Sequence, residues 1–273
     1  MIDDLLLIAL NEDLLPGGDV TTDCLIDNNH KSDFELVVNE NAILAGGSLF
    51  EEIFYTLDKN IKIVNNYADG NKLSRSTVVA KLSGSTRAIL KGERSALNLI
   101  SHLSGIASIT RELVELIKHT NVILLDTRKT TPGLRSFEKA AILAGGGKNH
   151  RFNLSEMVLI KDNHIKNVGG VKKTILKVRE CYKDKYKIEV EVNDIHELEE
   201  ALECNPDVIM LDNWEIPDIK KALKLIPKNI PIEVSGQINK KNILEYAELG
   251  VNYISTSYMI KNTKWVDFSL NAV

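Results

Sequence analysis

The chain has 273 residues, enough for one large domain or for a barrel with a smaller companion. It is 44% hydrophobic and 26% charged with a net charge of −4, an ordinary globular composition with no global signal for nucleic acid. No apolar run approaches the roughly 20 residues that cross a bilayer, and the start, Met1-Ile2-Asp3-Asp4, is acidic where a secretory leader would be basic. A cytoplasmic location without membrane contact is expected. Cys24, Cys181 and Cys204 are widely spaced without metal-ligand spacing, and are expected as buried or semi-exposed thiols in a reducing compartment.

The first hundred residues mix short elements. Phe34 to Val38, Ile61 to Val64 and Thr77 to Leu82 read as strands, with turns at Asp69-Gly70 and Ser83-Gly84 and a helical stretch over Ser48 to Leu57. This α+β material is assigned to a separate domain at about residues 1–106. A long helical pattern then runs from Glu93 to Lys118, with Gly105 as a candidate break or kink.

Beyond it the chain acquires a rhythm. Val122 to Leu125, Met157 to Ile160, Ile188 to Val192, Asp207 to Asp212, Ile230 to Ser235 and Val251 to Thr256 are six strand-like runs. The polar residues Glu191, Asp212, Ser235 and Thr256 close the last four at intervals of 21, 23 and 21 residues, with amphipathic helical stretches between. Repeated βα units imply a parallel sheet, and polar residues at the strand ends favour a barrel, where catalytic groups collect at that rim. The barrel is placed at 107–265, with the tail 266–273 packing back on the first domain. No glycine fingerprint after an early strand supports a dinucleotide fold.

Charge is unevenly spread. Between Asp126 and His164 stand Arg128, Lys129, Arg135, Lys139, Lys148, Arg151 and Lys161 against Asp126, Glu138, Glu156 and Asp162. Seven cations minus four acids is +3, in a chain of −4. Three clusters carry the excess. Asp126-Thr127-Arg128-Lys129-Thr130-Thr131-Pro132-Gly133 follows a strand, and its cations suit carboxylate or phosphate. Gly145-Gly146-Gly147 lets backbone approach a ligand or take positive φ, and brings up His150 and Arg151. Lys161-Asp162-Asn163-His164 ends another strand; Lys161 is read as an anion clamp, while Asp162 and His164 can equally hold the loop together.

Across the rim, Glu191 and Asp212 lie on successive strands, where they can hold Mg²⁺ or stabilise developing positive charge. Their neighbours Glu189 and Glu233 are assigned to structure rather than chemistry. Ser235-Gly236 can cradle a phosphate.

With these clusters go Glu12-Asp13, Gly18-Asp19-Val20-Thr21-Thr22 and Gly92-Glu93-Arg94-Ser95-Ala96-Leu97-Asn98, then Glu189-Val190-Glu191-Val192 and Met210-Leu211-Asp212-Asn213. In this order, over nearly the whole chain, the sequence resembles the carboxylating nicotinate-nucleotide pyrophosphorylases, or quinolinate phosphoribosyltransferases. The resemblance implies an N-terminal α/β sandwich, an open βα-barrel of parallel strands, and a homodimer. It implies Mg²⁺-dependent transfer of phosphoribose from phosphoribosyl pyrophosphate to quinolinate, with loss of CO₂.

Carried onto this chain, Arg128, His150, Arg151 and Lys161 resemble ligands of the quinolinate carboxylates, with Arg94 supplied by the partner subunit. Lys129 resembles a ligand shared with phosphoribosyl pyrophosphate, Glu191 and Asp212 the catalytic and metal-binding acids, and Ser235, Gly236 and Ser257 the phosphate end. Gln237 and Ser257 stand where relatives usually carry glycine. The alternatives are a molybdenum-locus paralogue of the same fold, in which the Asp-Thr-Arg-Lys and Lys-Asp-Asn-His strings are usually altered, and a non-catalytic barrel that senses a phosphorylated ligand.

Overall fold

A computed structural model describes residues 2–273. Helices α1 (Ile2–Leu14) and α2 (Val20–Leu25) come first, the second started by Asp19, whose carboxylate accepts the Thr22 amide at 2.9 Å. They are followed by β1 (Lys31–Val38), β2 (Ala42–Ile43), α3 (Gly47–Leu57), β3 (Lys62–Asn65), β4 (Lys72–Leu73), β5 (Thr77–Ser85) and the long α4 (Thr86–Ile117). The repeating half consists of β6 (Ile123–Leu125), α5 (Arg135–Gly145), β7 (Val158–Ile160), α6 (Asp162–Val168), α7 (Val171–Tyr182), β8 (Ile188–Val192), α8 (Ile195–Leu202), β9 (Val208–Asp212), α9 (Ile216–Leu225), β10 (Ile232–Ser235), α10 (Ile243–Ala247), β11 (Tyr253–Ser255) and α11 (Tyr258–Lys261), and β12 (Phe268–Ala272) ends the chain. Every strand expected from the sequence is present, trimmed or extended by a few residues at its ends.

The elements form two compact units. One comprises residues through Arg111 together with Thr131–Gly146 and Asn262–Val273; the other comprises Glu112–Thr130 and Gly147–Lys261. The first holds an antiparallel sheet in the order β12-β1-β5-β3. Alternation along β1 buries Phe34, Leu36 and Val38, and α3 adds Leu49, Phe50, Ile53 and Phe54 to the same unit's core. The returning tail is β12, an edge strand paired with β1 through Leu36 and Leu270.

The boundary placed at 106/107 falls inside α4, which runs unbroken through Gly105. That glycine is a contact rather than a kink: a Cβ there would lie 2.2 Å from the Lys264 carbonyl oxygen. The segment 131–146, expected in the barrel, clusters with the first unit because α5 is seated on α4. A Cβ on Gly145 would meet Thr110 Cβ at 2.5 Å and the Ala107 carbonyl oxygen at 2.6 Å, and Arg111 Nε donates to the Gly145 carbonyl at 2.8 Å. Gly146, at φ 96°, ends the helix. Two of the three consecutive glycines therefore serve helix packing and termination instead of ligand approach.

The second unit is a sheet of six parallel strands in the order β6-β11-β10-β9-β8-β7. Among the described residues no pairing joins β6 to β7, so the barrel is open. Each strand from β7 onward is followed by a helix; α8, for example, is capped by Asp194, which accepts the Glu197 amide at 2.8 Å. β8 is buried along its whole length. Such a strand accommodates Glu189 and Glu191 only where partners offset their desolvation. Among the described residues no helix is long and apolar enough to cross a membrane. Cys24 and Cys181 are exposed and Cys204 half-buried, all three unpaired, so two of the thiols are more open than expected.

Gly145→Ala is expected to destabilise the protein by about 1–3 kcal/mol, the cost of overpacking. Thermal unfolding checks this: an unchanged midpoint would show that α5 is not seated so tightly.

Candidate active site

Alternation and register decide which side chains share the barrel mouth. Leu159 on β7 pairs with Glu189 on β8, Glu191 with Met210 on β9, Met210 with Glu233 on β10, Asp212 with Ser235, and Ser235 with Ser255 on β11. Because side chains alternate, Glu189, Glu191, Met210, Asp212, Glu233 and Ser235 all project to one side. A cavity of about 350 Å³ opens there. Its acidic and hydroxyl wall is Glu191, Asp212, Ser235 and Ser255, its apolar floor Leu159 and Met210, and its cationic wall Thr127 to Lys129, His150, Arg151 and Lys161.

The cationic wall is built on the free edge of β6. Lys148 donates its amide to the Leu124 carbonyl at 2.8 Å and accepts from the Asp126 amide at 3.1 Å, so the chain at 148 runs alongside the strand. Asp126, fully buried, accepts the His150 amide at 2.8 Å. Thr127 Oγ1 accepts the Lys129 amide at 3.0 Å and tightens the turn that carries Arg128. Arg128 Nε is buried and meets no acceptor among the described residues. Arg151 donates to the Met157 carbonyl at 3.1 Å. Burial, then the charge of Arg128, hold its pKa below the usual arginine value, and Glu189 opposes them. Two guanidinium groups thus face one small cavity.

Lys161 extends β7 to the level of Glu191, and the two side chains form an ion pair. The loop behind it is local architecture: His164 Nδ1 accepts the Lys161 amide at 2.9 Å, and Asp162 accepts the Asn163 amide at 2.7 Å. Of the two roles open to Asp162 and His164, loop holding is the one these bonds support.

His150 lines the same cavity and is tied into the barrel interior. Its Nε2 lies 3.0 Å from Glu189 and 3.6 Å from Glu233, and its Nδ1 accepts the Arg151 amide at 2.7 Å. Both ring nitrogens are engaged within the protein, and the ring lines the wall.

The structure brings Ser235 and Ser255 to the cavity, and Gly236 follows Ser235 directly in the chain. Gly236 has φ 101°, and a Cβ on it would strike Asn213 Oδ1 at 2.4 Å and the Asn213 amide nitrogen at 2.7 Å. Gln237, at φ 52°, is exposed. Ser257 offers its carbonyl to the Lys261 amide at 3.0 Å and so begins α11. Arg94 is exposed on α4 in the first unit.

Sequence reasoning counted Asp126 and Glu138 only as charges and missed their placement. Glu138, fully buried, accepts the Thr131 amide at 2.9 Å and His102 Nε2 at 3.0 Å. Burial pushes its pKa up, but these bonds outweigh burial and hold it below the ordinary value. The helical spacing of His102 and Glu138 carried no sign that they meet. A larger cleft of about 470 Å³ beside β7, lined by Leu154, Met157, Val168, Val178 and Tyr182, contains none of the rim acids, so the chemistry belongs to the smaller cavity.

A parallel barrel with an anion-binding wall opposite paired carboxylates defines an enzyme that joins anionic substrates at its strand ends. The chain belongs to the quinolinate phosphoribosyl transferase family: it matches that family's N-terminal domain over residues 19–104 and its C-terminal domain over 106–271. It is 39% identical over 254 residues to the probable carboxylating nicotinate-nucleotide pyrophosphorylase of Bacillus subtilis, covering 93% of this chain and 88% of the relative. The protein of that name from Methanocaldococcus jannaschii is 41% identical over 265 residues, covering 94% and 92%. The fold matches the crystal structure of NadC from Streptococcus pyogenes with a TM-score of 0.94 at 39% identity, covering 100% of this chain and 97% of the other.

Gly236→Ala is expected to cost about 1–3 kcal/mol, from strained backbone and the clash with Asn213. Chemical denaturation measures this, and a loss well below that range would mean that the two loops are not locked together.

Proposed function

We propose that the chain transfers the phosphoribosyl group of phosphoribosyl pyrophosphate to quinolinate, with decarboxylation, to give nicotinate mononucleotide, pyrophosphate and CO₂. The observation that carries this reading is the unmatched donor Arg128 Nε beside Arg151, facing Glu191 and Asp212 across one cavity. A pyridine dicarboxylate fits such a wall, because a dianion leaves water only where fixed cations replace its hydration.

In this reading Arg128, Arg151 and Lys161 hold the carboxylates. Lys129, exposed at the turn, reaches both substrates. Ser235, Gly236 and Ser257 face the phosphate end, with the Ser255 hydroxyl beside them. Glu191 and Asp212 stabilise the positive charge that builds on the ribose carbon as pyrophosphate leaves. Once the ring nitrogen is glycosylated, its positive charge stabilises the electron pair left on the adjacent carbon as CO₂ departs. A proton from water then fills that position to give the pyridinium product, so ribosyl transfer precedes decarboxylation and needs no dedicated base. The donor set suits Mg²⁺: two carboxylates on neighbouring strands leave most of the coordination sphere to water and substrate phosphates. Glu191 and Asp212 would hold it, and it would neutralise charge on the departing pyrophosphate.

Arg94 is assigned to the quinolinate side of a second copy's site, which makes the working unit a homodimer. Three unpaired cysteines are consistent with work in a reducing, cytoplasmic setting. The intact Arg128-Lys129 and Lys161-Asp162 segments favour this reading over a paralogue or a sensor.

The test supplies quinolinate, phosphoribosyl pyrophosphate and Mg²⁺ and follows nicotinate mononucleotide and CO₂. Turnover is expected to vanish with a chelator and return with Mg²⁺, and full activity under chelation would remove the metal. No turnover with tight binding of either substrate would identify a sensor. By calorimetry, Arg128→Ala is expected to weaken quinolinate roughly tenfold to a hundredfold, the scale of a hydrogen bond to a charged group. Its effect on phosphoribosyl pyrophosphate should be much smaller, and equal losses would contradict the clamp.

A further inference from the structure

Beneath the cationic wall lie two carboxylates that the proposed transfer does not use. Glu189 and Glu233 are only 1% and 2% exposed, and each has its Oε1 buried with no hydrogen-bond partner among the described residues. Their other oxygens converge on His150 Nε2, at 3.0 Å from Glu189 and 3.6 Å from Glu233. On the far side of the ring, Nδ1 accepts the Arg151 amide at 2.7 Å. A nitrogen that accepts must keep its lone pair, so the ring proton sits on Nε2 and is donated to Glu189.

A histidine nitrogen and two carboxylate oxygens within 4.8 Å of one another also have the composition of a transition-metal site. A metal would need the Nε2 lone pair, however. Moving the ring proton to Nδ1 would then set it against the Arg151 N–H. The hydrogen-bond pattern assigns the cluster to holding a proton instead.

Two carboxylates beside one imidazole in a dry wall do not both stay ionised. Burial, then the charge of Glu189, push Glu233 up to about 8 against the pull of His150, so Glu233 is protonated at neutral pH. For His150, burial lowers the pKa, but the Glu189 bond and the charges of Glu233 and Glu189 outweigh it, and the net direction is upward despite Arg151. The Arg151 amide works the other way, because an imidazolium has no lone pair at Nδ1. The contact therefore selects the neutral ring. Behind it, Asp126 grips the His150 amide at 2.8 Å. Residues 150 and 151 are thus held at three points before the Arg151 side chain enters the mouth.

We propose that Glu189 and Glu233 are positioning residues of the substrate-carboxylate clamp: they hold the His150 ring through Nε2 from inside the barrel, which keeps Nδ1 as the acceptor that sets the Arg151 backbone. Neither glutamate touches substrate. Their effect reaches quinolinate through the placement of Arg151 and leaves the phosphoribosyl side alone, an inference that rests on the proposed transfer to quinolinate.

The experiment combines steady-state kinetics with nitrogen NMR of the full-length enzyme labelled at histidine. Glu189→Gln and Glu233→Leu are each expected to raise KM for quinolinate roughly tenfold, while kcat and KM for phosphoribosyl pyrophosphate move less than about threefold. Glu233→Gln imitates the neutral acid and is expected to recover most of the loss caused by leucine. The His150 resonances, assigned through a His150→Gln variant, should show protonated Nε2 and unprotonated Nδ1. Parallel rises in both KM values, no rise at all, or a protonated Nδ1 would each overturn the assignment. An absence of turnover in the parent enzyme would instead defeat the transfer reading, and the histidine resonances would then decide the positioning role by themselves.

Discussion

The site depends on charge being buried in opposed layers. A barrel interior is a poor solvent for carboxylates, yet this one takes Glu189, Glu191 and Glu233 on two strands. They are tolerated because the end of β6 and the chain returning beside it bring Arg128, Lys129, His150 and Arg151 to the same rim, with Lys161 from β7. The same adjacency confines the cations: Arg151 stays close to Arg128 because Glu189 offsets part of their repulsion. Acids below and cations above are one arrangement, and removing either layer would leave the other expensive.

Fold and site were legible to different depths in the sequence. The six parallel strands were visible because each ends in a polar residue at a near-constant interval, a pattern that follows directly from a barrel with a working rim. The cations of the rim were visible for the same reason, since Arg128 and Lys161 come straight after apolar runs. What could not be read was which groups spend their hydrogen bonds inside the protein. His150 was read as a ligand beside Arg151, and its contacts with Glu189 and Glu233 from inside the barrel were not foreseen. Nothing local in the sequence announces a contact across that separation.

The glycines show the same limit. A run of three looked like a loop made to approach a ligand. Gly145 is instead pressed against α4 and Gly146 turns the chain out of a helix. Close backbone approach was the right physical inference, but the thing approached was another helix. Similarly, the break expected at Gly105 is absent because the space there is filled by the carbonyl of Lys264. In both cases sequence showed that a side chain was excluded without showing what excluded it.

The contact between Gly236 and Asn213 has a consequence for how this barrel can drift. The loops after β9 and β10 are keyed together at one position, so Asp212 and Ser235 move as a single piece. Variation in that region is pushed to the neighbouring position, where the side chain points to solvent. Gln237 occupies that outlet: it adopts a left-handed backbone, is exposed, and stays clear of the lock. The two halves of the rim are in this way free to diverge in surface chemistry while their spacing is inherited together.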